Sequence, residues 1–91
     1  MKASARHILV DTLEKCESIK TEIKNGADFA AMAKKHSTCP SGRDGGALGV
    51  FTPGQMVPEF DRVVFNNEVG MVHGPVKTQF GYHLIEIASR G

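Results

Sequence analysis

Residues 72–88, Val72-His73-Gly74-Pro75-Val76-Lys77-Thr78-Gln79-Phe80-Gly81-Tyr82-His83-Leu84-Ile85-Glu86-Ile87-Ala88, contain two runs of strand-forming residues around a short break. The runs 72–77 and 82–88, joined through Gln79-Phe80-Gly81, form the pattern of an antiparallel hairpin. Pro75 has no N–H to give to a ladder, so the first strand is expected at a sheet edge or across a bulge. In the second strand His83 alternates with Ile85 and Ile87, which puts all three on one face.

Upstream of this hairpin the elements follow by period and punctuation. A helix is expected over about 57–66, with Pro58 tolerated in its first turn and Phe60, Val63 and Val64 facing inward. Thr52-Pro53-Gly54-Gln55 has Pro and Gly in the two central positions of a type II turn, and Ala47 to Phe51 reads as a short strand before it. Ser37 to Gly46 is loop chemistry, and a ten-residue loop in so short a chain is expected to be functional. Asp28 caps a helix over 29–36 that buries Phe29, Met32 and Ala33. Before it, Asp11 with Glu14 forms a capping pair, Gly26 is a stop signal, and Leu13, Cys16, Ile19 and Ile23 make one buried stripe. Residues 4–10 form the first strand. The order β-α-α-β-α-β-β describes an α+β domain with a mostly antiparallel sheet and helices packed around it. Periodicity does not reveal the order of the strands.

The totals limit function. Ninety-one residues suit one domain over 1–91, and eleven basic against ten acidic residues leave a net charge of +1. That balance gives no electrostatic case for nucleic acid or a membrane surface, and no apolar run approaches membrane length. Patterned structure begins directly after Lys2, so no signal peptide is expected. Cys16 and Cys39 are then read as free thiols, and the location as cytoplasmic. The sequence is equally compatible with a free-standing protein and with one domain of a longer one.

Phosphate-loop, paired-Cys, His-x-x-x-His and Gly-x-Ser-x-Gly patterns are all absent. What remains is a polar set, His7, Cys39, Thr78 and His83, and an apolar set, Leu48, Phe51, Met56 and Phe60. Both histidines lie on strands and point toward apolar faces, so each needs a hydrogen-bond partner. Taken singly they read as satisfied core histidines, which can bond to each other if their strands are neighbours. Cys39 alone reads as a small loop residue, or as a thiol activated by an imidazole. Met56 and Phe60, four apart on a helix, read by default as core. His36 and His73 are expected at the surface.

In order and spacing, these residues resemble the parvulin family of peptidyl-prolyl isomerases. The resemblance is carried by Arg-His-Ile-Leu-Val at 6–10, Gly-Ala-Asp-Phe at 26–29, Ala-Lys-Lys-His-Ser at 33–37 and Cys-Pro-Ser-Gly at 39–42. It continues through Gly-Gly-Ala-Leu-Gly at 45–49, Gly-Gln-Met-Val-Pro-Glu-Phe-Asp at 54–61 and Gly-Pro-Val-Lys-Thr-Gln-Phe-Gly-Tyr-His at 74–83. It covers nearly the whole chain and is most similar to the minimal, single-domain bacterial type. The resemblance implies the βα₃βαβ₂ parvulin (FKBP-like) fold, rotation about X–Pro bonds without a cofactor or metal, and a monomer acting on unfolded or flexible proline-containing polypeptides. It assigns His7, Cys39, Thr78 and His83 to catalysis and Leu48, Met56 and Phe60 to the pocket for the proline ring; Phe51 and Phe80 are added as substrate-binding candidates.

Two departures bear on specificity. Phosphate-directed relatives carry Lys and Arg in a long loop after the first strand, whereas Val10 here is followed by Asp11-Thr12-Leu13-Glu14. Phe80 replaces a small polar residue of those relatives, so unphosphorylated substrates are expected. Ala47 stands where relatives usually carry Asp, which puts the hold on that loop in question. The rival readings are a peptide-binding module with the same pocket, a cysteine hydrolase built on Cys39, and a metal site of His7, Cys39 and His83.

Overall fold

The computed structural model describes all residues 1–91. The elements are β1 (Ala3–Val10), α1 (Leu13–Lys24), α2 (Phe29–His36), a 3-10 turn (Pro40–Asp44), β2 (Ala47–Phe51), α3 (Pro58–Asn66), β3 (Val72–Thr78) and β4 (Gly81–Arg90). One four-stranded sheet has the order β2-β1-β4-β3, with every neighbouring pair antiparallel. This is the expected α+β architecture, with the 3-10 turn as the third helix before β2. β3 lies at an edge, and its register with β4 slips between His73 and Val76, across Gly74-Pro75. No helix is long and apolar enough to cross a membrane.

Strand alternation divides the core in two. On one face Ile8, Val10 and Leu84 pack against Cys16 and Ile19 of α1 and Phe29, Met32 and Ala33 of α2. On the other, Ala3, Ala5, Ile85 and Ile87 pack against Phe51 of β2 and Phe60 and Val64 of α3. His7 and His83 belong to this second face by strand parity.

The structure corrects several local expectations. The N-cap of α1 is Thr12, whose hydroxyl accepts from the Lys15 N–H at 3.2 Å, so the Asp11–Glu14 pair is not the cap. Leu13 thereby becomes the first residue of the helix and is exposed, while Cys16 and Ile19 alone are fully buried on that stripe. His36 and His73 are half-buried, and His73 Nε2 donates to the Glu68 carbonyl at 2.8 Å. The 52–55 turn forms as read: the Gln55 N–H reaches the Thr52 carbonyl at 3.3 Å, and Gly54 takes φ +95°.

Candidate active site

Where β1, the 3-10 turn and α3 meet, a cavity of about 410 Å³ opens to solvent, lined by His7, Leu9, Thr38, Cys39, Pro40, Leu48, Met56, Val57, Phe60, Phe80 and His83. Each wall has a local cause. The β1–β4 register pairs His7 with Ile85 and Leu9 with His83, so the two histidines stand diagonally on one face. Pro58 starts α3, which places Met56 and Val57 just ahead of the helix and Phe60 one turn in. Pro40 opens the 3-10 turn with Cys39 as its N-cap, and that turn closes at Gly45. Gly46 then runs against β1: its carbonyl accepts the His7 N–H at 3.0 Å, and a Cβ there would fall on the His7 carbonyl oxygen. Its φ of +86° makes the same demand for glycine.

Seven of the nine residues singled out in the sequence line this cavity. Thr78 and Phe51 do not. Thr78 is buried behind His83, to whose Nε2 its hydroxyl is bonded at 2.8 Å. Phe51 is also buried, edge-on to Phe60 with centroids 6.0 Å apart, so it supports the cavity floor from the core and offers no surface to a ligand. The expectation for Phe51 followed its nearness to Leu48 along the chain; both pack toward the α3 side of the core, but there Phe60 and Phe65 cover Phe51. Sequence reasoning passed over Leu9, Thr38, Pro40, Val57 and, most consequentially, Ser41. The spacing Cys-x-Ser on a turn opened by Pro40 was the available signal for Ser41.

The polar groups form one continuous chain of hydrogen bonds. The Phe80 N–H donates to Thr78 Oγ1 at 3.1 Å, and Thr78 Oγ1 lies 2.8 Å from His83 Nε2. His83 Nδ1 is 3.0 Å from His7 Nδ1, and His7 Nε2 is 3.1 Å from Ser41 Oγ. Ser41 Oγ reaches Cys39 Sγ at 3.3 Å. Burial, and secondarily the facing His83, lowers the His7 pKa to about 4. Burial also lowers that of His83, with Glu59 opposing. Both rings are therefore neutral at pH 7, with one N–H each. If the chain runs from Phe80 toward Cys39, every hydrogen within it has an acceptor. In the opposite sense the Thr78 hydroxyl hydrogen has none. The first sense makes His83 donate from Nδ1 and His7 from Nε2, and Ser41 donate to the Cys39 sulfur. Phe60 stands edge-on to both imidazoles, with centroids 5.8 Å and 6.1 Å away.

Two alternative chemistries fit this geometry poorly. Neither imidazole has a carboxylate hydrogen-bond partner, since His7 bonds to His83 and Ser41, and His83 to His7 and Thr78. A hydrolytic Cys39 would therefore have no acid to orient its base. The two Nδ1 atoms face each other, and the thiol is linked to His7 only through Ser41, so the three do not converge as metal ligands do.

An α+β sheet with this cavity and a neutral His–His link matches a known class. The family model for the rotamase, PPIC-type PPIase domain, covers residues 4–89. The chain belongs to this family of peptidyl-prolyl isomerase domains, the parvulins. Among curated relatives, the foldase protein PrsA of Geobacillus sp. (strain WCH70) is 46% identical over 90 residues, covering 98% of this chain and 33% of that protein. The crystal structure of the peptidylprolyl isomerase PrsA from Bacillus cereus superposes with a TM-score of 0.93 at 42% identity, over 99% of this chain and 35% of the other. The solution structure of NmPin, the parvulin of Nitrosopumilus maritimus, gives a TM-score of 0.85 at 38% identity, over 94% of each chain. The chain thus spans about a third of the length of its PrsA relatives and nearly all of NmPin.

Proposed function

We propose that this domain accelerates cis/trans rotation about X–Pro bonds in unfolded or flexible, unphosphorylated polypeptides, acting as a monomer without a cofactor and so assisting folding. The observation that carries this reading is an open apolar cavity whose rear wall holds an uncharged hydrogen-bond chain ending at Cys39. The match to NmPin over nearly the full length of both chains supports a domain of this size acting alone.

Rotation must cross a barrier of about 18–20 kcal/mol, because amide resonance makes the C–N bond partly double. Uncatalysed, it takes roughly 10–100 s. The twisted transition state has lost that resonance, so its oxygen carries less charge and needs water less. A site that grips the proline ring and strips water from the carbonyl therefore raises the planar form relative to the twisted one. In this reading Leu48, Met56, Val57 and Phe60 hold the ring. Phe80, 62% exposed at the cavity mouth, covers the apolar residue next to it. His7, Thr78 and His83, joined through Ser41, hold Cys39 at the rotating bond. The role of Cys39 is geometric, and no covalent adduct is needed.

The absence of a net charge field supports a polypeptide substrate over nucleic acid or a membrane. The two free thiols support a reducing, cytoplasmic setting, which fractionation of the native protein tests. The deciding experiment is magnetisation-exchange NMR on an unphosphorylated peptide with an apolar residue before proline. Exchange well above the uncatalysed rate is expected. Binding without acceleration, over a panel of residues preceding proline, would leave a peptide-holding module instead.

A further inference from the structure

We propose that Lys34 and Arg43 form a second subsite that selects an acidic side chain, Asp or Glu, near the substrate proline. The inference rests on the isomerase reading and adds a determinant of substrate class. A cleft of about 480 Å³ adjoins the cavity and shares three wall residues with it, Thr38, Cys39 and Pro40. A peptide whose proline lies over Met56 and Phe60 and whose chain crosses Cys39 runs into this cleft. An extended residue spans about 3.3–3.6 Å, so a side chain two or three positions from the proline reaches it.

The far side of the cleft carries Lys34, from the last turn of α2, and Arg43, from the 3-10 turn. These two elements are in direct contact. A Cβ at Gly42 would lie 2.9 Å from the Ala33 carbonyl oxygen, so no side chain can separate the turn from the helix. Both cations are exposed and neither is neutralised, because the molecule's one ion pair joins Arg6 to Glu86. Asp44 is the only acid on the 3-10 turn, and α2 has none within its span. A lysine near a helix C-terminus is explained by the helix dipole, but Arg43 lies off the helix and is not. With a net charge of only +1, this local excess does not follow from the protein as a whole. The result is an apolar cavity for the proline bordered by a positive cleft.

The test uses pairs of unphosphorylated apolar-Pro peptides differing only by Glu or Gln, placed in turn at two and three residues on either side of proline. For each pair, Kd is measured by calorimetry and KM by exchange NMR. At one placement the Glu peptide is expected to bind about threefold to fivefold more tightly at low ionic strength, and the advantage should shrink in 0.5 M salt. In a Lys34→Gln/Arg43→Gln variant the Glu-to-Gln ratio should fall to about one. Equal affinities at every placement would overturn the subsite, as would a preference that survives in the variant. If no peptide is isomerised, the isomerase reading fails, while the Kd ratios still decide the subsite.

Discussion

His7 and His83 hold their Nδ1 atoms 3.0 Å apart, with rings 16° from parallel, across two strands in which neither is the other's direct partner. One hydrogen sits between the two nitrogens. Adding a proton to His7 at Nδ1 sets two N–H groups against each other in a buried site, so the link exists only while His7 is neutral. Phe60 packs edge-on against both rings from α3.

Stability and activity should therefore fall together in acid. His7 titrates at about 4 in the folded protein, because burial and then His83 disfavour its charged form, against 6.5 when unfolded. Between these values the unfolded chain binds more protons, so stability is complete above 6.5 and is lost as pH falls toward 4. The loss attributable to His7 is on the order of 3 kcal/mol, and His83 adds to it in the same direction. Urea midpoints at pH 7.5 and 4.5 measure the effect, and a His7→Gln variant should show a flatter profile. An unchanged midpoint in the parent protein would mean that the histidines titrate alike in both states.

Thr78→Val removes the hydroxyl that joins the Phe80 N–H to His83 Nε2 while keeping the shape of the side chain. An unpaired buried acceptor costs about 1–3 kcal/mol, and denaturant unfolding should show a loss of that size. Thr78→Ser should restore most of it. A loss shared equally by Val and Ser variants would point to packing of the methyl group.

Met56→Ala enlarges the cavity from a half-buried position at the start of α3. A fully buried Met side chain is worth about 1.5–3 kcal/mol, so kcat/KM on an apolar-Pro peptide should drop about tenfold, with little change in Tm. Unaltered kcat/KM would remove Met56 from the proline pocket.

Cys39→Ser keeps an acceptor for the Ser41 hydroxyl, whereas Ser41→Ala cuts the chain and strands the His7 Nε2–H. A single hydrogen bond is worth about 0.5–1.5 kcal/mol, which is about twofold to tenfold in rate. Cys39→Ser should stay within that range, and Ser41→Ala should lower kcat more. Abolition of activity by Cys39→Ser, with the fold intact, would instead require chemistry at the sulfur.

Much of this molecule is legible residue by residue. The two-residue period of 82–88 put His83 with Ile85 and Ile87 on one face, and the helical spacing of Phe60 and Val64 turned α3 inward, because side-chain direction follows from local backbone geometry. Asp28 capped α2 as its sequence indicates, while Thr12 displaced Asp11 at α1, since caps one residue apart differ little in energy. The resemblance across 6–83 indicated which residues share a site before any contact was visible. Local chemistry carries no information on which strands pair. The order β2-β1-β4-β3 sets His7 beside His83, 76 positions away, and it arises from burying both sheet faces at once. The same packing brought Ser41 between His7 and Cys39, sent Phe51 beneath Phe60, and set Lys34 and Arg43 around one cleft. Periodicity acts over a few residues and so defines faces, whereas the meeting of those faces is decided by long-range packing, which only the folded chain contains.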